Sequence, residues 1–457
     1  MAYRVQYVLL ILAVLAGLQL YYVQGEYWPA WNFFVQEEKL EVPTKVADHV
    51  QTHLKPVRES KGTSGVPTSF DSLTEPAQLI SHSSDFDNDL RSFHRKLMAL
   101  KDHDDLIRIL HFGDSQIEGD RVSGIIRSFF QERFGGEGIG YIPVAENHVS
   151  RLNVKRRVSG WEGYRIFGGA TPSPHNSFGF EGYFHRPKTG AQESEILLSP
   201  AVNYYAKADQ FSELKVMYRT NAEGMIFHLL LDGQQVQGKV QELGKVKQIT
   251  FELKDYHGGE LKLFCKSDQE VDVYAVGLDG KKGVAVDNVA MRGSSGIEFS
   301  KINEELLREQ FQMMNVGLII YQFGINVIPY IVEDYTFYEQ LIYKQLKLFK
   351  RICPGVSILV VGVSDMAMKE GELYTSYPNI GAIKEAQKRA AKRAGCAFWD
   401  LQEVMGGENA MREWVYAKPP LAEKDFTHFN RKGAKKIGKR LAEALYFDFM
   451  QFQRSPD

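Results

Sequence analysis

Four short stretches carry residue types that can do acyl chemistry together: "HFGDSQ", "NVAMRGSSG", "QFGIN" and "KDFTHF". A serine hydroxyl is a weak nucleophile until a histidine takes its proton, and that histidine must be oriented and stabilised as imidazolium by a carboxylate. Ser115, His428 and Asp425 supply those three types, and the spacing of Asp425 and His428 lets one short loop present both. The oxyanion formed on attack needs donors aimed at it. The Ser115 N–H, the Gly293 N–H and the Asn326 side-chain amide are the candidates. Glycine at 293 would let the backbone approach closely, because it has no Cβ. Asp114 and Gln116 flank the serine and are candidate contacts to substrate.

Each piece alone has a plainer reading. Gly-Asp-Ser is a common turn tripeptide, Asn326 could cap a turn, and His428 could be a satisfied structural histidine. Their placement raises the signal, since the first three follow predicted strands and the fourth precedes the last predicted helix.

The predicted elements are units of strand followed by helix. Leu106 to Phe112 reads as a buried strand, followed by a helix whose apolar stripe is Val122, Ile125, Ile126, Phe129, Phe130 and Phe134. Val284 to Ala290 is a second strand, with a helix through Phe299, Ile302, Leu306 and Phe311. Val316 to Phe323 and Val356 to Val363 are the third and fourth, with a helix predicted from Ile380 to Ala394 after the latter. "CAFWDL" is the fifth, and Ala434, Ile437, Leu441 and Leu445 mark a closing helix. Strands alternating with helices predict a five-stranded, parallel, flavodoxin-like sheet covered on both faces. Sites on such sheets lie at the carboxyl ends of the strands.

Between the first and second units the pattern changes. "SELKVMYR", "MIFHLLLDG", "KQITFELK", "GELKLFCK" and "VDVYAVGLDG" are short alternating runs separated by turn signals, which predicts an inserted antiparallel β-sandwich over 141–280. Upstream of these runs, "GWEGYRIFGG" and "NSFGFEGYFHR" gather aromatics among glycines and read as loops. Most aromatics are core, yet exposed ones on loops could stack on sugar rings. The α/β domain would then comprise 85–140 and 281–457.

The N-terminus bears on the compartment. No charged residue lies between positions 5 and 25, a length that can span a bilayer as one helix. Arg4 precedes the run and Glu26, Glu37 and Glu38 follow, which predicts an uncleaved anchor over 1–25 with the remainder outside the cytoplasm. A cleaved signal peptide is the rival, but no clear small-x-small site follows. Residues 37–84, polar and interrupted by prolines, read as a linker, so that 26–84 forms a stalk. The net charge of −2, with both signs interspersed, gives no nucleic-acid footprint. Three cysteines form no zinc spacing; Cys353 and Cys396 could be bridged in an exported domain, though two buried thiols is the plainer reading. "DHDD" at 102–105 lies near His111, but the run lacks regular ligand spacing and reads as a solvated helix end, so no metal or cofactor is expected.

With these blocks in order, the sequence resembles the SGNH (GDSL-type) hydrolase superfamily over about 106–135 and 284–447. The resemblance implies Ser115 as nucleophile, His428 as base and Asp425 as its orienter, with Ser115, Gly293 and Asn326 forming the oxyanion hole. Gln116 stands where the family's name motif has leucine. The architecture further resembles bacterial cell-envelope O-acetylesterases and O-acetyltransferases that carry an inserted β-domain. That implies a periplasmic enzyme tethered to the inner membrane, with an acetylated glycan as substrate. An O-acetyltransferase paired with a membrane acyl-donor protein, and a non-catalytic glycan-binding protein, are the alternatives.

Overall fold

The computed structural model describes residues 76–454, apart from 77, 85–87, 147–150, 169–170, 192, 202–204, 206, 222–225, 232–233, 240–242, 254–255, 257–258 and 268–269. The apolar N-terminal segment and most of the stalk lie outside the described residues.

The central sheet has five parallel strands in the order Gly283–Ala290, Leu106–Gly113, Val316–Gln322, Ser357–Val361 and Ala397–Trp399. The first strand in sequence therefore lies between the second and the third. The order reverses there, and the crevice beyond the carboxyl end of that strand is where such sheets bind ligands. Every residue of Val316–Gln322 and all but the first of Leu106–Gly113 are buried, as continuous aliphatic runs require when helices cover both faces.

The covering helices follow the apolar stripes. Ser123–Phe134 buries Ile125, Ile126 and Phe130, and Ile380–Ala394 buries Ile383, Ala386 and Ala390. The closing helix, Arg431–Arg454, buries Ala434, Ile437, Leu441 and Leu445. The helix predicted through Phe299 begins later, at Glu304, where Asn303 caps it by accepting from the Leu306 N–H. Phe299 lies instead in a short 3-10 turn.

The insert is a pair of antiparallel sheets. One has the order Val246–Glu252, Glu213–Thr220, Val271–Asp279, Tyr183–Pro187, Trp161–Arg165, with Gly138–Ile142 also paired to Val271–Asp279. The other has the order Val154–Ser159, Ser194–Pro200, Leu261–Lys266, Ile226–Leu231, Gln234–Lys239. Leu198, Val216, Tyr218, Phe227, Leu263 and Val273 form its core.

The aromatic-rich stretches expected to be loops contain two of these strands, Trp161–Arg165 and Tyr183–Pro187, paired antiparallel. Glycines inside and beside them hid the alternation, but Trp161, Phe178, Phe180 and Phe184 are buried. Tyr164 stacks on Phe184 with centroids 4.6 Å apart. As a broad aromatic platform for sugars the segment is therefore corrected: packing claims most of its rings. Phe167 stays exposed.

The insert and the parallel sheet share buried charge. Arg108, on the first core strand, pairs with Asp287 at 2.7 Å and with Asp279, the last residue of a sandwich strand, at 2.5 Å. Asp287 also accepts from the Tyr141 N–H at 2.6 Å. Buried pairs add little net stability, but losing one partner strands the other charge, at about 3–5 kcal/mol. Such a junction fixes how the sandwich meets the sheet.

Candidate active site

Ser115 sits one turn beyond the first core strand. Gly113 is required there: a Cβ would come within 2.8 Å of the Ile117 side chain and 2.9 Å of the Gln322 carbonyl. The turn is held from several sides. Arg121 donates to the carbonyls of Ser115 at 2.8 Å, Glu118 at 2.9 Å and Phe429 at 2.9 Å, tying the serine turn to the histidine loop. Asn288, from the second core strand, donates to the Ile117 carbonyl at 2.9 Å. Sequence reasoning did not single out Arg121, because a cation on a helix end resembles any solvated charge.

The histidine loop runs from Asp425 to Asn430, just before the closing helix. Ser115 Oγ lies 2.8 Å from His428 Nε2, and His428 Nδ1 lies 2.7 Å from Asp425 Oδ2. With the carboxylate accepting from Nδ1–H, Nε2 is left as the acceptor facing the hydroxyl, the tautomer a general base needs. The other Asp425 oxygen accepts the backbone N–H of Thr427 at 2.9 Å and of His428 at 3.0 Å. Burial alone would push the Asp425 carboxyl up, but these hydrogen bonds outweigh it and hold the group below the usual carboxylate range. Between them Phe426 has φ of +55°, and the ring of Tyr374 stacks on it at 3.6 Å. That conformation is strained for an aromatic residue, and the stacking helps hold it.

Asn326 lies beside the third core strand's end and donates through Nδ2 to the Ser294 carbonyl at 2.9 Å. The amide has two hydrogens, so one donor direction remains. Gly293 has φ of +80°, a region that favours glycine. A Cβ there would meet the Phe167 ring at 3.2 Å. The glycine loop is anchored where Met291 N–H donates to the Gly113 carbonyl at 2.7 Å. Among the described residues, no backbone carbonyl accepts the N–H of Ser115 or of Gly293.

Asp114 and Gln116, the sequence-derived candidates for substrate contact, are both buried. Each is 1% exposed. Gln116 donates to the Thr427 carbonyl at 2.7 Å and to Ser364 Oγ at 3.1 Å, and accepts from the Phe429 N–H at 3.2 Å. It clamps the histidine loop, and a leucine there would leave these groups unpaired. Asp114 accepts from the Gln116 N–H at 3.0 Å, and burial pushes its carboxyl up to about 7. The polar atoms of Gln116 are thus engaged by neighbouring loops, while Asp114 holds its own turn.

Other candidates separate from the site. His111 is buried between Gln322 and Ser123, while residues 102–105 are exposed. The thiols of Cys353 and Cys396 are free. Among the described residues, no helix is long and apolar enough to cross a membrane.

No protein-family profile and no curated protein matches the sequence. A solved structure described as "Peptidoglycan O-acetylesterase in action, 5 min" superposes with a TM-score of 0.67 at 19% identity, over 81% of this chain and 99% of its own. The two chains share a fold. A family two carbohydrate esterase from Cellvibrio japonicus superposes with a TM-score of 0.24 at 9% identity, over 65% of this chain and 99% of its own, too loosely to carry an argument. In the fold shared with the first of these, the four sequence blocks lie at the carboxyl edge of one sheet, beside the inserted β-domain.

Proposed function

We propose that this chain is a serine esterase that removes small acyl groups, acetyl above all, from a cell-envelope glycan such as peptidoglycan. The observation that carries the reading is the relay from Ser115 Oγ through His428 to Asp425, at 2.8 and 2.7 Å. Ser115 Oγ attacks the ester carbonyl carbon as its proton passes to His428 Nε2. The N–H groups of Ser115 and Gly293 and the free hydrogen of the Asn326 amide receive the developing oxyanion. Collapse breaks the ester C–O bond, and His428 returns the proton to the departing sugar oxygen. Water then attacks the acyl-serine by the same route in reverse, releasing acetate.

The apolar segment before position 26 supports a tether to the inner membrane, with the enzyme on the periplasmic side. Glycan as the leaving group draws on the name of the solved O-acetylesterase with which the chain shares its fold.

Incubating the full chain with O-acetylated peptidoglycan, and separately with other acetylated polysaccharides, should release acetate from at least one. Acetyl passed to a glycan hydroxyl instead of water would make the chain a transferase served by a membrane acyl donor. Acetyl accepted by neither would leave a glycan-binding protein.

A further inference from the structure

Beside the glycine loop the insert and the α/β domain enclose a cleft of about 130 Å³. Its walls are Glu118 from the nucleophile turn, Ala290, Met291 and Arg292 from the glycine loop, and Ile166 and Phe167 from the insert. A single water needs about 10–15 Å³, so the cleft takes roughly ten heavy atoms, about the size of one pyranose ring. Phe167 is the insert's exposed aromatic at this edge, with its ring against Gly293.

The cleft carries charges of both signs, with Arg165 also in its lining. Glu118 Oε1 faces Arg292 Nε at 3.6 Å, and Glu146 is held by Arg151 and Arg156, each at 2.6 Å. Glu181 also lines the cleft. It is 2% exposed, and neither carboxylate oxygen has a hydrogen-bond partner among the described residues. Burial holds that carboxyl well above the usual range. A buried polar group left without a partner is rare in folded proteins and calls for an occupant.

We infer that this cleft is a subsite for one hydroxyl-bearing sugar ring, with Phe167 as its apolar platform and Glu181 as its hydrogen-bonding floor. The ring would lie next to the oxyanion donors, so the insert would select which ester reaches Ser115. The inference rests on the esterase reading for its consequence, but the binding itself is separable from it.

The probe is chitotetraose, a neutral N-acetylglucosamine oligomer, titrated calorimetrically into the full chain carrying Ser115→Ala. Binding should be measurable, and adding Phe167→Ala or Glu181→Leu should weaken it at least tenfold. Adding Glu181→Gln, which keeps a donor and an acceptor, should retain most of the affinity. Glu181→Leu removes a buried polar group that has no protein partner, so its Tm should hold or rise. In the otherwise wild-type chain, Phe167→Ala should cost at least tenfold more kcat/KM on an O-acetylated chitotetraose than on p-nitrophenyl acetate. Absence of binding to the Ser115→Ala chain, unaltered binding in the added variants, a lowered Tm for Glu181→Leu, or equal loss on both esters would each overturn the subsite. Binding without hydrolysis of any ester would instead defeat the esterase reading and leave the subsite standing.

Discussion

The parallel sheet and the inserted sandwich bury their strands by different rules, and the difference decides where chemistry can sit. Val316–Gln322 is buried along its whole length, so its side chains have no route to solvent and polar work falls to the residues just past its end. In the sandwich, Val246–Glu252 alternates buried and open positions over much of its length. A strand of that kind can present polar groups anywhere along its outer face. Val271–Asp279 belongs to both regimes: Val273 and Val276 fill the sandwich core, while Tyr274 and Ala275 pack with Phe299 of the α/β domain. One region therefore concentrates reactive groups at an edge, and the other lends a wall to that edge.

Changes at the sheet's carboxyl edge should stop turnover on every ester. Changes in the sandwich core should lower stability and spare the chemistry. The largest effect is expected for Ser115→Ala, which should reduce kcat by about 10⁶-fold, the scale for a lost nucleophile. It should also abolish covalent labelling of the full chain by a serine-directed inhibitor. Labelling that persists would take Ser115 out of the role. Asp425→Asn should cost about 10⁴-fold, because the wrong tautomer of His428 is then favoured. Turnover of a small acetyl ester by the purified variant reads this directly, and a loss under tenfold would make the carboxylate dispensable.

Leu263→Ala probes the other region. Leu263 is fully buried in the sandwich, and its truncation should cost about 2–5 kcal/mol in urea unfolding. Below the transition, kcat/KM on the small ester should stay at the wild-type level. A loss of turnover on the scale of Asp425→Asn would collapse the distinction between the two regions.

The same contrast sets what was legible in the sequence. The α/β units announce themselves because continuous apolar strands and helical stripes are strong periodic signals, and the reactive blocks fall at their ends. Trp161–Arg165 and Tyr183–Pro187 were read as loops because glycines at 160, 163, 179 and 182 mimic turn composition while packing decides the strand. The role of Gln116 as a clamp was hidden for another reason. The neighbours of Gln116 in space, Ser364, Thr427 and Phe429, are hundreds of positions away in sequence, and no local pattern announces a clamp of that kind.

The last effect is a slope rather than a loss, and it tests whether Asp114 belongs to the buried regime of the sheet. Burial pushes its carboxyl up to about 7, against the pull of the Gln116 N–H and of His428. An unfolded aspartate titrates near ~3.9, so between these values the folded chain keeps a proton that the unfolded chain has released. Stability should therefore be given up as pH rises from about 4 through about 7, and the penalty should be complete above that. Asparagine cannot release a proton and still accepts the Gln116 N–H. Asp114→Asn should thus gain on the wild type in urea midpoint as pH rises, with little difference at the acid end. A difference that is flat in pH, or that shrinks as pH rises, would mean that water or a charge partner reaches Asp114 and that this carboxyl is not sealed under the nucleophile turn.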